Sequence, residues 1–168
     1  MKKSILFMIG LTISVSAFSQ KKDVVDIAVG SADHTTLVAA VTAADLVTVL
    51  KGAGPFTVFA PTNAAFNKLP AGTVEGLLKP ENKAQLTKIL TYHVVSGSFD
   101  AAAVIAAIKG GKGKVELTTV SGGKLVASMD KGKVKLTDES GNAAYVTATD
   151  LKGSNGVIHV IDGVVLPK

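Results

Sequence analysis

Pro55–Phe66, which reads Pro-Phe-Thr-Val-Phe-Ala-Pro-Thr-Asn-Ala-Ala-Phe, constrains the fold more than any other stretch of this chain. Phe56 to Phe59 are aromatic or β-branched, the residue types that fit a pleated, half-buried surface. Pro61 has no N–H for a ladder and biases Ala60 toward an extended backbone, so it marks the end of a strand. Thr62 can then cap a helix beginning at Asn63, its hydroxyl accepting a backbone N–H of the first turn. Phe66 falls where it can turn back onto the strand. Twelve residues thus encode strand, stop, cap and helix.

Two later stretches belong with it: Leu90-Thr91-Tyr92-His93-Val94-Val95, and Gly153-Ser154-Asn155-Gly156-Val157-Ile158-His159-Val160-Ile161-Asp162. In this order and at this spacing the three resemble the signature motifs of the fasciclin domain family, over roughly residues 23–167. The resemblance implies a fasciclin-like α+β fold, with N-terminal helices packed on a wedge of mostly antiparallel strands from two small sheets. It implies structural roles for Phe56, Phe59, Pro61, Thr62, Asn63, Phe66, Tyr92, His93, Asn155, Gly156, His159 and Asp162. It further implies a secreted adhesion or matrix module, since the family's Tyr-His segment and an Asp-Ile dipeptide ahead of the third motif are tied to integrin-type adhesion. The matching positions here are Tyr92-His93 and Asp150-Leu151, with leucine in place of isoleucine and Ala148-Thr149 where adhesive relatives carry an acidic residue. Some fasciclin-like proteins carry carotenoids, which makes an apolar small-molecule carrier the alternative.

The rest of the chain reads as helices first and strands last. Asp23–Gly30 has helical apolar spacing, and Asp33 is placed to cap a second helix carrying Leu37, Val38 and Val41. Thr73–Leu78 is a short helix. Glu81–Leu90 is another, with Leu86, Ile89 and Leu90 inward, followed by a strand over Thr91–Val95. Asp100 caps an alanine-rich helix, Ala101–Ile108. After the Gly-rich break near Lys109 come four β runs, Lys114–Val120, Lys124–Met129, Lys133–Thr137 and Ala143–Thr149, separated by turn residues. Val134 and Leu136 alternate with Lys133, Lys135 and Thr137, which gives one wet face. Val157–Ile161 is apolar apart from His159 and reads as a central strand covered on both sides.

Residues 1–19 read as an export signal: basic Lys2 and Lys3, an apolar Ile5–Ala17 too short to span a membrane, and Ala17-Phe18-Ser19 as a cleavage site before Gln20. The expected organisation is a signal at 1–19 and one monomeric domain at 20–168, periplasmic or extracellular. With 168 residues, 47% hydrophobic and 18% charged, the chain has material for a packed core. It has no cysteine, which excludes disulfides and thiolate metal sites. Its basic residues are all lysine, and tryptophan is absent, which argues against specific nucleic-acid binding.

No constellation for catalysis emerges. The glycines at 110–113 lack phosphate-loop spacing. His34, His93 and His159 each stand alone in sequence, without metal-ligand or GxSxG patterning, so neither metal nor cofactor is expected. Tyr92 and His93, read as strand neighbours, would point to opposite faces, and His93 is expected to bond the turn at Thr62–Asn63. Asp150 reads as a turn cap. The lysines at 109, 112, 114, 124, 131, 133 and 135 read either as a patch for polyanions or anionic lipid, or as solvated faces and edge protection. The second reading is favoured.

Overall fold

The computed structural model describes residues 21–168; the expected signal and its cleavage point lie outside the described residues. The apolar run at the end of the chain becomes the strand around which the others are arranged. All six residues of β7 (Gly156–Ile161) are buried. On one side β7 runs parallel to β1 (Phe56–Pro61), with Phe56 opposite Gly156 and Pro61 opposite Ile161. On the other it is antiparallel to β6 (Ala143–Lys152).

Beyond β1 lies β2 (Val94–Ser96). Beyond β6 lie β5 (Lys133–Thr137), β4 (Lys124–Asp130) and β3 (Lys114–Thr118), in the order β2-β1-β7-β6-β5-β4-β3. Two sheets merge in this order because they share β6. Register shifts between Val146 and Ala148, and between Ala148 and Leu151, bend that strand from one to the other. The far ends curl together as well: Val95 bridges Thr119, and the Val120 N–H donates to the Val94 carbonyl at 2.8 Å.

Strand alternation sorts the interior into two cores. Phe59 and Ile161 face the concave side with Tyr92, Val104, Ile108, Leu125, Leu136 and Val165. Ala60 and Ile158 face a helical layer that supplies Val24, Leu37, Val41, Phe66, Leu86 and Leu90. That layer comprises α1 (Val24–Val29), α2 (Thr35–Ala43), α3 (Val47–Leu50), α4 (Asn63–Asn67), α5 (Thr73–Leu77) and α6 (Lys83–Tyr92), while α7 (Ala101–Gly110) covers the concave side.

Three local caps form, two of them, at Thr62 and Asp100, where the sequence places them. Asp23 closes a capping box with Asp26 on α1, the Thr62 hydroxyl accepts from Ala65 N on α4, and Asp100 accepts from Ala103 N on α7. Asp33 does not cap α2; it lies in a 3-10 turn, and the N-cap position falls on His34, which makes no side-chain cap bond. A distant amide caps the helix instead. Asn63 Oδ1 accepts from Thr36 N at 3.0 Å, and Asn63 Nδ2 donates to the Ala32 carbonyl at 3.0 Å.

The strand expected at Thr91–Val95 is also corrected. Helix α6 runs on through Tyr92, with His93 as its C-cap, and the strand begins only at Val94. Leu86, Ile89, Leu90 and His93 continue one helical stripe into the interior, and burial of that stripe overrides the β preference of Thr91 and Tyr92.

Candidate functional site

Leaving a helix end, Tyr92 and His93 both enter the interior, at 0% and 2% exposure, and do not straddle a sheet. The Tyr92 hydroxyl donates to the Lys124 carbonyl at 2.6 Å and accepts from Glu139 N at 3.3 Å. His93 does not reach the Thr62–Asn63 turn. Its Nδ1–H donates to the Ile89 carbonyl at 2.8 Å, and its Nε2 accepts from Val165 N at 3.3 Å. The second motif nevertheless grips the first through its main chain, since the His93 carbonyl accepts from Phe59 N at 2.9 Å.

This arrangement needs a neutral imidazole, because Nε2 must keep a lone pair for Val165. Burial pushes the His93 pKa down to about 4, against the opposing pull of the Ile89 carbonyl and the Asp138 charge. Burial also lowers the pKa of His34, whose Nδ1 meets Ser31 Oγ at 2.8 Å. A folded-state pKa below the unfolded one makes the contribution complete above pH ~6.5 and removes it as pH falls toward the folded value, at about 1.4 kcal/mol per unit. The urea midpoint should therefore drop more between pH 7 and pH 5 in the native chain than in His93→Gln. Equal drops would clear His93 of this role.

The Asp150-Leu151 pair lies elsewhere, on the irregular part of β6. Asp150 adopts a left-handed backbone (φ 60°), and its exposed carboxylate accepts from Ala101 N at 2.8 Å. It therefore supplements Asp100 at the first turn of α7, a helix cap delivered across 49 residues where a local turn cap was expected. Leu151 is 38% exposed. The four residues marked by adhesive resemblance thus do not present one surface, since Tyr92 and His93 are covered.

In the third motif Asn155 acts as a clamp. Its Oδ1 accepts from Val24 N at 3.1 Å, and its Nδ2 donates to the carbonyls of Leu50 at 2.7 Å and Gly52 at 3.0 Å. Asp162 accepts from Tyr145 N at 2.8 Å. His159 Nε2 bonds the Phe99 carbonyl at 2.7 Å, and its ring stacks on Phe59 with centroids 5.7 Å apart. Among the described residues, no three metal-ligating side chains converge.

One polar anchor escaped the sequence reading. Asp138 is 5% exposed and accepts from Ser140 N, Asn142 N, Asn142 Nδ2 and Leu166 N at 2.8–3.0 Å. An aspartate opening a Ser-Gly-Asn turn signals the first of these contacts; the capture of Leu166 is tertiary.

A cavity of about 240 Å³ opens between α1–α3 and β1, with Val25, Val41, Leu46, Leu50 and Val58 among its walls. Val29, Val49 and Val120, three of the most exposed apolar side chains, also line it, at 60%, 53% and 43% exposure. Its polar lining is already engaged: Thr42 donates to the Val38 carbonyl, Thr91 to the Thr87 carbonyl, and Lys51 bridges Asp26 at 2.6 Å and Asp23 at 3.0 Å. The Lys51 hydrogen bond holds the Asp26 carboxyl below its usual range.

Comparison with known proteins fits these features. A family model described as "Fasciclin domain" matches residues 32–167. Protein sll1483 of Synechocystis is 50% identical over 155 residues, covering 92% of this chain and 79% of that protein. Immunogenic protein MPB70 of Mycobacterium bovis is 37% identical over 114 residues, 68% of this chain and 51% of the relative. The solved FAS1 domain pair from the insect cell adhesion molecule fasciclin I superposes with a TM-score of 0.75 at 18% identity, covering 86% of this chain and 51% of that one.

Proposed function

The chain belongs to the fasciclin domain family, and from that premise we propose that it is an exported, single-domain, non-enzymatic module, residues 20–168, that adheres to a cell-surface or matrix protein or polysaccharide. One observation carries the reading: the polar side chains of the three motifs are spent on internal bonds, as at Tyr92, His93, Asn155 and Asp162. Function then falls to outward-facing residues, of which Leu151 and Asp150 are the motif-linked pair, Asp150 keeping an exposed carboxylate although one oxygen accepts from Ala101 N. Among the described residues no helix is long and apolar enough to cross a membrane. The test is attachment of the native cells to a surface after deletion of the gene, with complementation by the native chain and by Asp150→Ala/Leu151→Ala. Deletion is expected to weaken attachment and the double variant to restore it poorly; undiminished attachment on deletion would reject the role.

A second reading, carriage of an apolar small molecule, is favoured by the valine-rimmed cavity. Solvent extraction and mass spectrometry of protein purified from its native source test it. An extract without any apolar compound in near-stoichiometric amount rejects it.

A further inference from the structure

The strand register reveals a one-sided charge distribution. Lys109, Lys112, Lys114, Lys131, Lys133 and Lys135 take part in none of the ion pairs among the described residues. Lys114 stands opposite Ser128, Ser128 opposite Lys135, and Lys135 opposite Tyr145. One step along, Lys133 stands opposite Asp130. Alternation turns these residues outward, because Leu117, Ala127, Val134, Leu136 and Ala144 between them are buried.

Strands lie about 4.8 Å apart and rise about 3.4 Å per residue, so Lys114 and Lys135 are about 10 Å apart across the face, and Lys133 and Lys135 about 7 Å apart along it. Lys112 and Lys131 sit in left-handed turns (φ 58° and 50°) at the same end. The carboxylate among them, Asp130, accepts from the Tyr145 hydroxyl at 2.7 Å. The next outward residue along β3 from Lys114, about 7 Å on, is Glu116, which Lys124 pairs at 3.0 Å, so beyond Lys114 the field is balanced.

We propose that the Lys112–Lys114–Lys131–Lys133–Lys135 end of the β3–β5 face is a binding surface for an acidic polysaccharide. Five cations around one engaged carboxylate make a local positive field that a chain of carboxylates or sulfates complements. Lysine ammoniums are point charges that tolerate varied anion geometry, as a polymer of repeating acidic units requires. A nucleic acid fits less well: the chain has no arginine for bidentate contacts, and the face's aromatic, Tyr145, has its hydroxyl tied to Asp130. A bilayer fits less well too, because the outward residues at this end are Lys, Ser, Asp and Tyr, with nothing apolar to insert; Met129 belongs to the opposite face of β4. The choice of a surface polymer as occupant rests on the proposed adhesive role, whereas the positive field is present with or without it.

Titration of the purified protein with heparin oligosaccharide and with alginate tests the surface. Lys114→Glu/Lys133→Glu/Lys135→Glu should weaken binding by about tenfold or more at about 50 mM salt and flatten the salt dependence. Lys21→Glu/Lys79→Glu/Lys152→Glu, with the same change in net charge, should stay within about twofold of the native chain. Melting midpoints confirm folding, and the corresponding Lys→Gln triple replaces any variant that unfolds. Equal losses in both triples, no binding by the native chain, or tighter binding to phosphatidylglycerol vesicles or single-stranded DNA would overturn the proposal. A chain that binds the polymer but leaves cell attachment unchanged on deletion loses the adhesion role and keeps this surface.

Discussion

Tyr92→Ala is expected to destabilise the protein by about 3–5 kcal/mol, the range for truncating a large buried aromatic. The side chain is fully covered within the concave core. Its loss leaves a cavity and strips the Lys124 carbonyl and the Glu139 N–H of a shared partner. Tyr92→Phe separates the two effects. It keeps the packing and removes the hydroxyl, so its cost should be about 1–3 kcal/mol. Urea denaturation with both midpoint and slope provides the measurement. A Phe variant as unstable as the Ala variant would place the whole effect in the hydrogen bonds. Gly123 belongs to the same contact: a Cβ there would come within 2.6 Å of the Tyr92 ring, so a residue that reads as a plain turn glycine is also required by packing.

Gly156→Ala should cost about 3 kcal/mol or more, at the severe end of overpacking. Gly156 opens β7 directly opposite Phe56 of β1. Its φ is not in the left-handed region that favours glycine, so the requirement comes from its neighbour. An added Cβ would collide with the Phe56 carbonyl and approach the Phe56 backbone nitrogen to 3.1 Å. Backbone in a paired strand cannot move aside as a flexible side chain can, so β1 and β7 must separate at this end. Faster hydrogen exchange of amides in β1 and β7, together with a lowered melting midpoint, is the expected result. Gly76→Ala is the control. It lies in α5 with open space where the Cβ would go, and should be neutral or stabilising by up to about 1 kcal/mol. A Gly156→Ala protein as stable as the Gly76→Ala protein would refute the close approach.

Wherever one residue and its immediate neighbours settle the matter, the structure could be read from the sequence. Thr62 and Asp100 cap the helices that follow them, because a short polar side chain reaches N–H groups two or three residues ahead. The apolar run after Asn155 became the buried central strand. The misreadings arose where a distant group competed. Asp33 lost the α2 cap to Asn63, 27 residues beyond the Thr36 N–H that it holds. The β-prone Thr91-Tyr92 remained helical because Tyr92 and His93 had an interior to fill. The lysines of β3–β5 were visible as a cluster, but only strand register separates the balanced Lys124–Glu116 end from the unbalanced one.

By itself, then, the sequence determined most element types, their order and which strand is covered on both faces, since propensity, capping and period act over one or two turns of chain. Tertiary structure alone decided where the buried polar atoms find partners: His93 with Val165 across 72 residues, Tyr92 with Lys124 across 32, and Asn155 with Leu50 across 105. A buried donor or acceptor must be satisfied by whatever group packing brings within about 3 Å, and no local pattern records which group that will be.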